Sequence, residues 1–201
     1  NNWLGRGIRF GTSLDLTEET ISGTISVYNP NYNYSGNAVF TSLDVSSADR
    51  TESSGYENSR TGFSIGTEFE QYENIFLSPS ITAAYEKIEV QSTASSAMKK
   101  MDGTFTNLDF AYGIAVDKRN QVFQPTAGYR TQFTQELPII MDSSSILNGL
   151  TVSAYHAFSE DVIGAAKFYV RSIHGLNDED VRVTSRLYMP QRRLRDFKTS
   201  R

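Results

Sequence analysis

The sequence of 201 residues contains no cysteine. Disulfides, thiolate nucleophiles and sulfur-ligated metal sites are therefore excluded, and thiol redox chemistry with them. Histidine is nearly as scarce: His156 and His174 are the two present, too few and too isolated for a zinc site. No apolar run approaches the roughly 20 residues that a membrane-crossing helix needs, which excludes a helical membrane protein. Positive charge is not in excess either. Nineteen Lys plus Arg against 23 Asp plus Glu leave a net charge of -4, so no global basic field points to nucleic acid. The chain opens Asn1-Asn2-Trp3-Leu4-Gly5 without an initiator Met or the basic and apolar regions of a signal peptide, and reads as a segment of something longer. No stretch shows a convincing helical period.

What the sequence has in abundance is strict alternation, the period of strands with two chemically different faces. Phe10, Leu14 and Leu16 share one face, against Arg9, Gly11, Ser13 and Asp15 on the other. Ile21, Ile25 and Val27 repeat the pattern, as do Leu43 and Val45, Phe63 and Ile65, and the run Leu108, Phe110, Tyr112, Ile114, Val116. Later runs set Tyr129, Phe133 and Leu137 against Arg130, Gln132 and Glu136, and Phe168 and Val170 against Lys167, Tyr169 and Arg171. This predicts about nine strands of roughly 8 to 13 residues, long enough to cross a bilayer when tilted. The connections look alternately short and long, with 45–60 and 91–103 read as long polar loops and no linker that marks a domain boundary.

Alternation fits two solvents. In a soluble sandwich the apolar face is the core; in a membrane barrel it meets lipid and the polar face lines the lumen. The polar face here is rich in Ser, Thr, Gly and Asn rather than in Lys and Glu, which favours the barrel. Motifs for catalysis are weak. Gly62-Phe63-Ser64-Ile65-Gly66 matches a nucleophile elbow by letter, but it lies inside an alternating strand instead of on a strand-to-helix turn. Asp178-Glu179-Asp180 lacks the ligand spacing of a calcium loop. The end of the chain differs from the rest: Arg186, Arg192, Arg193, Arg195, Lys198 and Arg201 are interleaved with Leu187, Tyr188, Met189, Leu194 and Phe197. Such a segment suits a loop that folds into a polar cavity, where an arginine fork can grip a carboxylate from a fixed direction.

Taken in order, several motifs resemble the BamA-like superfamily of outer-membrane protein assembly factors, also called bacterial surface antigens or outer-membrane insertases. They are the opening NNWLGRG, Ile25 to Tyr28 before Asn29-Pro30, Asp117-Lys118-Arg119 followed by Pro125-Thr126-Ala127-Gly128-Tyr129-Arg130, and Arg186-Leu187-Tyr188 with Leu194-Arg195-Asp196-Phe197. The resemblance covers essentially the whole chain. It implies an all-β fold, an antiparallel up-and-down transmembrane β-barrel of which 1–201 is a partial domain: about nine of roughly sixteen strands. Residues 179–201 would begin the large inward-folding loop. The family's loop tip has glycine where this chain has Asp196, an acid placed to compete for the Arg195 guanidinium.

The same resemblance implies a function in folding client β-barrels into the bacterial outer membrane, by lateral opening and strand addition, with no enzymatic activity, cofactor or metal. Implied partners are outer-membrane lipids, unfolded β-barrel clients and accessory lipoproteins reached through periplasmic modules outside this segment; nucleic acid is not among them. Arg195 and Phe197 would anchor the inward loop to acidic residues on strands beyond this segment, with Arg186 and Tyr188 supporting it. Asp117, Arg119, Pro125 and Gly128 would shape a periplasmic-side turn. Competing readings are a superfamily sibling in autotransporter assembly or protein secretion, a passive outer-membrane channel, and a soluble β-sandwich binding module.

Overall fold

A computed structural model of the chain describes residues 7–140, 145–176, 181 and 184–187. Each alternating run becomes a strand: β1 (Arg9–Leu16), β2 (Thr20–Asn29), β3 (Ala38–Arg50), β4 (Tyr56–Tyr72), β5 (Ile75–Val90), β6 (Gly103–Asp117), β7 (Gly128–Ile140), β8 (Ser145–Ala157) and β9 (Ile163–Gly175). They form one sheet in chain order, β1 to β9, every neighbour antiparallel. The fold is thus an all-β antiparallel meander. Two helices of four residues, α1 (Thr51–Ser54) and α2 (Ser96–Lys99), occur in connections.

Because directly paired residues share a face, the register extends each strand's alternation across the sheet. One row runs Phe10, Val27, Thr41, Ile65, Ile81, Phe110 and Leu137; the next runs Thr12, Ile25, Leu43, Phe63, Ala83 and Leu108. Most of their large side chains are exposed, among them Phe63 and Ile65. A monomer in water does not tolerate an apolar surface this continuous. In lipid, each large side chain so placed is worth about 1.5–3 kcal/mol relative to water.

The opposite face is polar and turned inward. Its rows include Ser46, Arg60 and Glu86, then Asp44, Gly62, Ala84 and Asn107. Glu86 is only 4% exposed, and Tyr56 and Ile88 are fully buried on the same side near one rim. Side chains from β4 to β9 line a single cavity on this face, so the sheet curves around it. Ser64 and Thr82 share a hydroxyl hydrogen bond of 2.9 Å across β4 and β5 on that wall.

Three findings depart from sequence expectation. β4, β5 and β6 are 17, 16 and 15 residues long, beyond the expected range. Residues 45–60, expected as a long loop, are mostly strand: Ser46 to Arg50 pair with Arg60 to Tyr56, leaving 51–55 as the connection. Apart from Tyr56, both faces are polar or small there, so alternation of hydropathy has little contrast, while the ladder continues regardless. Loop length also does not segregate by rim. Described connections at the rim holding α1 and α2 are 17–19, 51–55 and 91–102; those at the other are 30–37, 73–74, 118–127 and 158–162.

Proline 79 lies inside β5, a central strand where its missing N–H removes a ladder bond. Pairing with β6 is continuous through Pro79 and Tyr112, whereas pairing with β4 lapses between Gly66–Ser80 and Phe69–Leu77. The gap therefore falls on the β4 side, and the Thr67 hydroxyl turns to donate to the Ala38 carbonyl of β3 at 2.8 Å.

The face assignment is open to test in the full-length protein. Ile81→Arg, on the outer face, is expected to cost about 2–4 kcal/mol in urea unfolding from lipid vesicles, while Thr82→Arg, one residue on and inward, costs much less. Equal costs at both positions would contradict the assignment.

Candidate functional site

Two places gather the chemistry of this chain. The first is a cavity of about 300 Å³ on the inner face, lined by Arg60 of β4, Glu86 of β5, Asn107 and Asp109 of β6, Glu136 of β7, and Thr184 and Ser185. Three carboxylates meet one guanidinium. Arg60 also donates to the Asp44 carboxylate at 2.8 Å, so acids outnumber bases among the described residues that line the cavity. Thr184 and Ser185 come from the segment after β9, so the chain beyond the last strand turns back into the lumen side. The Thr184 hydroxyl is buried there without a hydrogen-bond partner among the described residues. Arg186 follows, its Nε donating to the Val181 carbonyl at 3.2 Å, which holds the backbone of this short stretch on itself.

The register explains why these acids converge. Glu86, Asp109 and Glu136 are far apart in sequence, yet each lies at an inward position of consecutive strands β5, β6 and β7. No sequence motif encodes the cluster. The only available signal was the inward parity of three acids, and it required the register to be known.

The second place is the turn from β6 to β7. Asp117 ends β6 and accepts two bonds from the Arg119 guanidinium, 2.8 Å from Nε and 2.6 Å from Nη2, and a third from the Arg119 backbone N–H at 3.3 Å. A bidentate, charge-assisted pair of this kind fixes direction as well as distance. The two side chains are 18% and 12% exposed. The Asp117 hydrogen bond holds the Arg119 guanidinium above its ordinary range, so it is charged at any physiological pH. Arg130 of β7 lies 3.9 Å from the same carboxylate.

Around this pair the turn closes on itself. Lys118 N–H donates to the Tyr129 carbonyl and Asn120 N–H to that of Ala127. The Asn120 side chain accepts from Thr126 N–H and Ala127 N–H, and donates to the Thr126 hydroxyl at 2.7 Å. Pro125 precedes Thr126 and fixes φ there without a donor to satisfy. Gly128 has φ +94, and an added Cβ would overlap the Lys118 carbonyl oxygen and lie 2.9 Å from Arg119 Cα. Glycine is required at that position. The structure therefore brings together all four residues expected to shape this turn: Asp117, Arg119, Pro125 and Gly128. At its tip Val122 and Phe123 are each 79% exposed.

Of the residues expected to anchor the inward loop, Tyr188, Arg195 and Phe197 lie outside the described residues, as does Asp196. Arg186 is described, with the contact given above. Among the described residues no group of His, Cys, Asp or Glu is arranged to hold a metal ion.

Comparison with known proteins agrees with this geometry. The Omp85 superfamily domain matches residues 2–198. The crystal structure of BamA from Haemophilus ducreyi lacking POTRA domains 1–3 is similar in fold, with a TM-score of 0.72 at 16% sequence identity over 90% of this chain. The chain spans 38% of the length of that structure. No curated protein sequence matches it.

The turn yields an ordered expectation. Gly128→Ala should destabilise the β6–β7 hairpin by about 1–3 kcal/mol through a left-handed alanine and the clash at Lys118. Asp117→Asn should cost about 1.5–3 kcal/mol through loss of the charged acceptor. Limited proteolysis of the full-length protein should then cut within 118–127 in both variants and not in the unsubstituted protein; protection in all three would contradict the role assigned to these bonds.

Proposed function

Because the chain belongs to the Omp85 superfamily, we propose that it is part of the membrane domain of an outer-membrane protein assembly factor, which inserts client β-barrels into the bacterial outer membrane. The observation that carries this reading is the return of the chain after β9 into an acidic inner cavity, Thr184 and Ser185 meeting Glu86, Asp109 and Glu136. An inner wall of carboxylates is complementary to the basic run that follows, Arg192, Arg193 and Arg195. Ser185 to Arg192 is a short stretch, and even a few extended residues at about 3.3–3.6 Å each cross such a cavity.

In this reading residues 1–201 are a partial barrel domain, and 179–201 begin the inward loop. Arg195 and Phe197 anchor that loop, with Arg186 and Tyr188 supporting it; carboxylates on β5, β6 and β7 of this chain join any on strands beyond it as acceptors. The 118–127 turn faces the periplasm, and the rim with α1 and α2 faces outward. The outer apolar face meets lipid. No covalent chemistry is involved: a client strand pairs with an exposed strand edge, and main-chain hydrogen bonds provide the affinity. Periplasmic modules outside this segment would receive clients and accessory lipoproteins.

The test is reconstitution of the full-length protein in lipid vesicles with a urea-unfolded β-barrel client. Accelerated appearance of folded, protease-protected client is expected, with Arg195→Ala lowering the rate several-fold while the barrel stays folded. Ion conductance without client folding would favour a passive channel, and release of client into the vesicle lumen would favour a secretion sibling. An unaltered rate in Arg195→Ala would remove the loop anchor from the account.

A further inference from the structure

We propose that the inner face of β7 to β9 is a docking wall for an acidic, extended stretch of client polypeptide, held by Arg130, Lys167 and Arg171. The inference rests on the assembly-factor reading above and deepens it by naming the chemistry of what is received. These three are the only Lys or Arg residues of β7, β8 and β9, and the register turns all of them inward. Arg130 shares its side of β7 with Glu136, and Lys167 and Arg171 share theirs of β9 with Ile173; Glu136 and Ile173 both line the inner cavity. Arg130, Ser153 and Lys167 are consecutive cross-strand partners, and Thr134, Gly149 and Arg171 form a second such row. Between the two rows lie Gln132 and Thr151, neutral donors suited to a peptide carbonyl or a carboxylate.

What this part of the wall lacks is acids. β8 and β9 contain no Asp or Glu, and Glu136, the one acid of β7, lies six residues along that strand from Arg130. Asp117, directly opposite Arg130, is already gripped by both nitrogens that Arg119 presents to it. Arg130 stands 3.9 Å from that carboxylate, with its Nε buried and without a hydrogen-bond partner among the described residues. Lys167 and Arg171 are exposed, and none of the ion pairs among the described residues includes them.

Position and charge then select the occupant. Lipid meets the opposite face of the sheet, so a lipid headgroup does not reach this wall. Strands beyond this segment extend the sheet at its edges and leave its inner face uncovered. The chain's own return is basic: Arg192, Arg193 and Arg195 follow the stretch that meets Glu86 and Asp109, and like charge directs them to those acids and away from Lys167 and Arg171. An acidic partner is complementary to what is left. Positions two strands apart are separated by about 10 Å and positions four residues along a strand by about 13 Å, so the three charges form a spread array rather than one clamp. An extended chain with several carboxylates engages the array, whereas a lone anion meets one member of it. Arg130 and Lys167 stand near the strand ends that join connections 118–127 and 158–162, at the rim facing the periplasm in the reading above, with Arg171 further in. A segment arriving from that side meets the array in this order, and its attraction raises the rate of encounter.

Fluorescence anisotropy of a labelled oligo-glutamate peptide with the full-length protein in detergent micelles provides the test. Lys167→Gln together with Arg171→Gln is expected to weaken binding several-fold, whereas Lys99→Gln with Lys100→Gln, an equal change of net charge at the opposite rim, leaves it unaltered. Lys167→Arg with Arg171→Lys, which keeps both charges, should bind as the unsubstituted protein does. A second measurement needs none of these variants: a photoreactive side chain at Thr151, on the inner face between the cations, should cross-link to the peptide, and one at Val152, the next residue and outward, should not. Equal weakening by the two glutamine pairs, absence of binding, or equal cross-linking at the two positions would overturn the proposal. Displacement of the peptide by inorganic phosphate at matched anion concentration would do so too, by marking a site for small anions. In lipid vesicles the Lys167→Gln and Arg171→Gln pair should slow folding of a client with an acidic stretch several-fold, and not that of the same client with those acids made neutral; equal slowing would remove the client as occupant. The heat-dependent gel shift of a folded barrel and the client-folding rate separate the readings. An unsubstituted protein without the shift sinks the membrane reading, a shifted protein that binds the peptide but folds no client sinks the assembly reading, and a shifted protein that folds clients without binding the peptide sinks only the docking wall.

Discussion

Every backbone N–H and C=O that enters hydrocarbon must find a partner within the protein, because no water is there to supply one. The rest of this structure depends on that constraint. It makes the ladder continuous from β1 to β9, and a continuous ladder transmits the parity of each strand to its neighbour. One face becomes predominantly apolar and the other predominantly polar without any single residue deciding it. The constraint also locates its own exception. Pro79 breaks the ladder on one side, and the break is confined to the lower part of the β4–β5 seam, where the Thr67 hydroxyl is bonded to β3 instead.

Once the faces are separated, chemistry is sorted by them. Carboxylates on the inner wall are brought together by register rather than by sequence, and they line the same cavity as the returning chain. Rigid local geometry is kept for the rim. The β6–β7 turn holds its shape with bonds among Asp117, Arg119, Asn120, Thr126 and Gly128, independent of what the neighbouring strands present.

Which parts were legible in the sequence follows from the range of the interactions involved. Strand number and face were readable because period two is local and repeats; the run Leu108 to Val116 states its outer face without reference to any other strand. The Asp117 to Gly128 turn was marked by Pro125 and Gly128, whereas Asp117 and Arg119 were singled out by resemblance, although the bonds they make all lie within a dozen or so residues. Residues 45–60 misled because Ser46, Ser47, Asn58 and Ser59 give neither face an apolar mark, and only pairing makes them strand. Glu86, Asp109 and Glu136 were invisible as a group, each being an unremarked inward acid on its own strand. The tip residues Arg195 and Phe197 were singled out by resemblance, and they lie outside the described residues.

The order of strands in space is also their order along the chain, and this bears on how such a wall comes to exist. Each pairing joins segments separated by one connection, so closing it costs little loop entropy, and the cost rises only slowly with the length of that connection. Low sequence separation between partners favours fast formation. The sheet can therefore grow one hairpin at a time from either end, each added strand covering the edge left by the one before and offering a new edge in turn. A sheet of this topology can thus form by the same stepwise edge pairing that the protein is proposed to offer its clients.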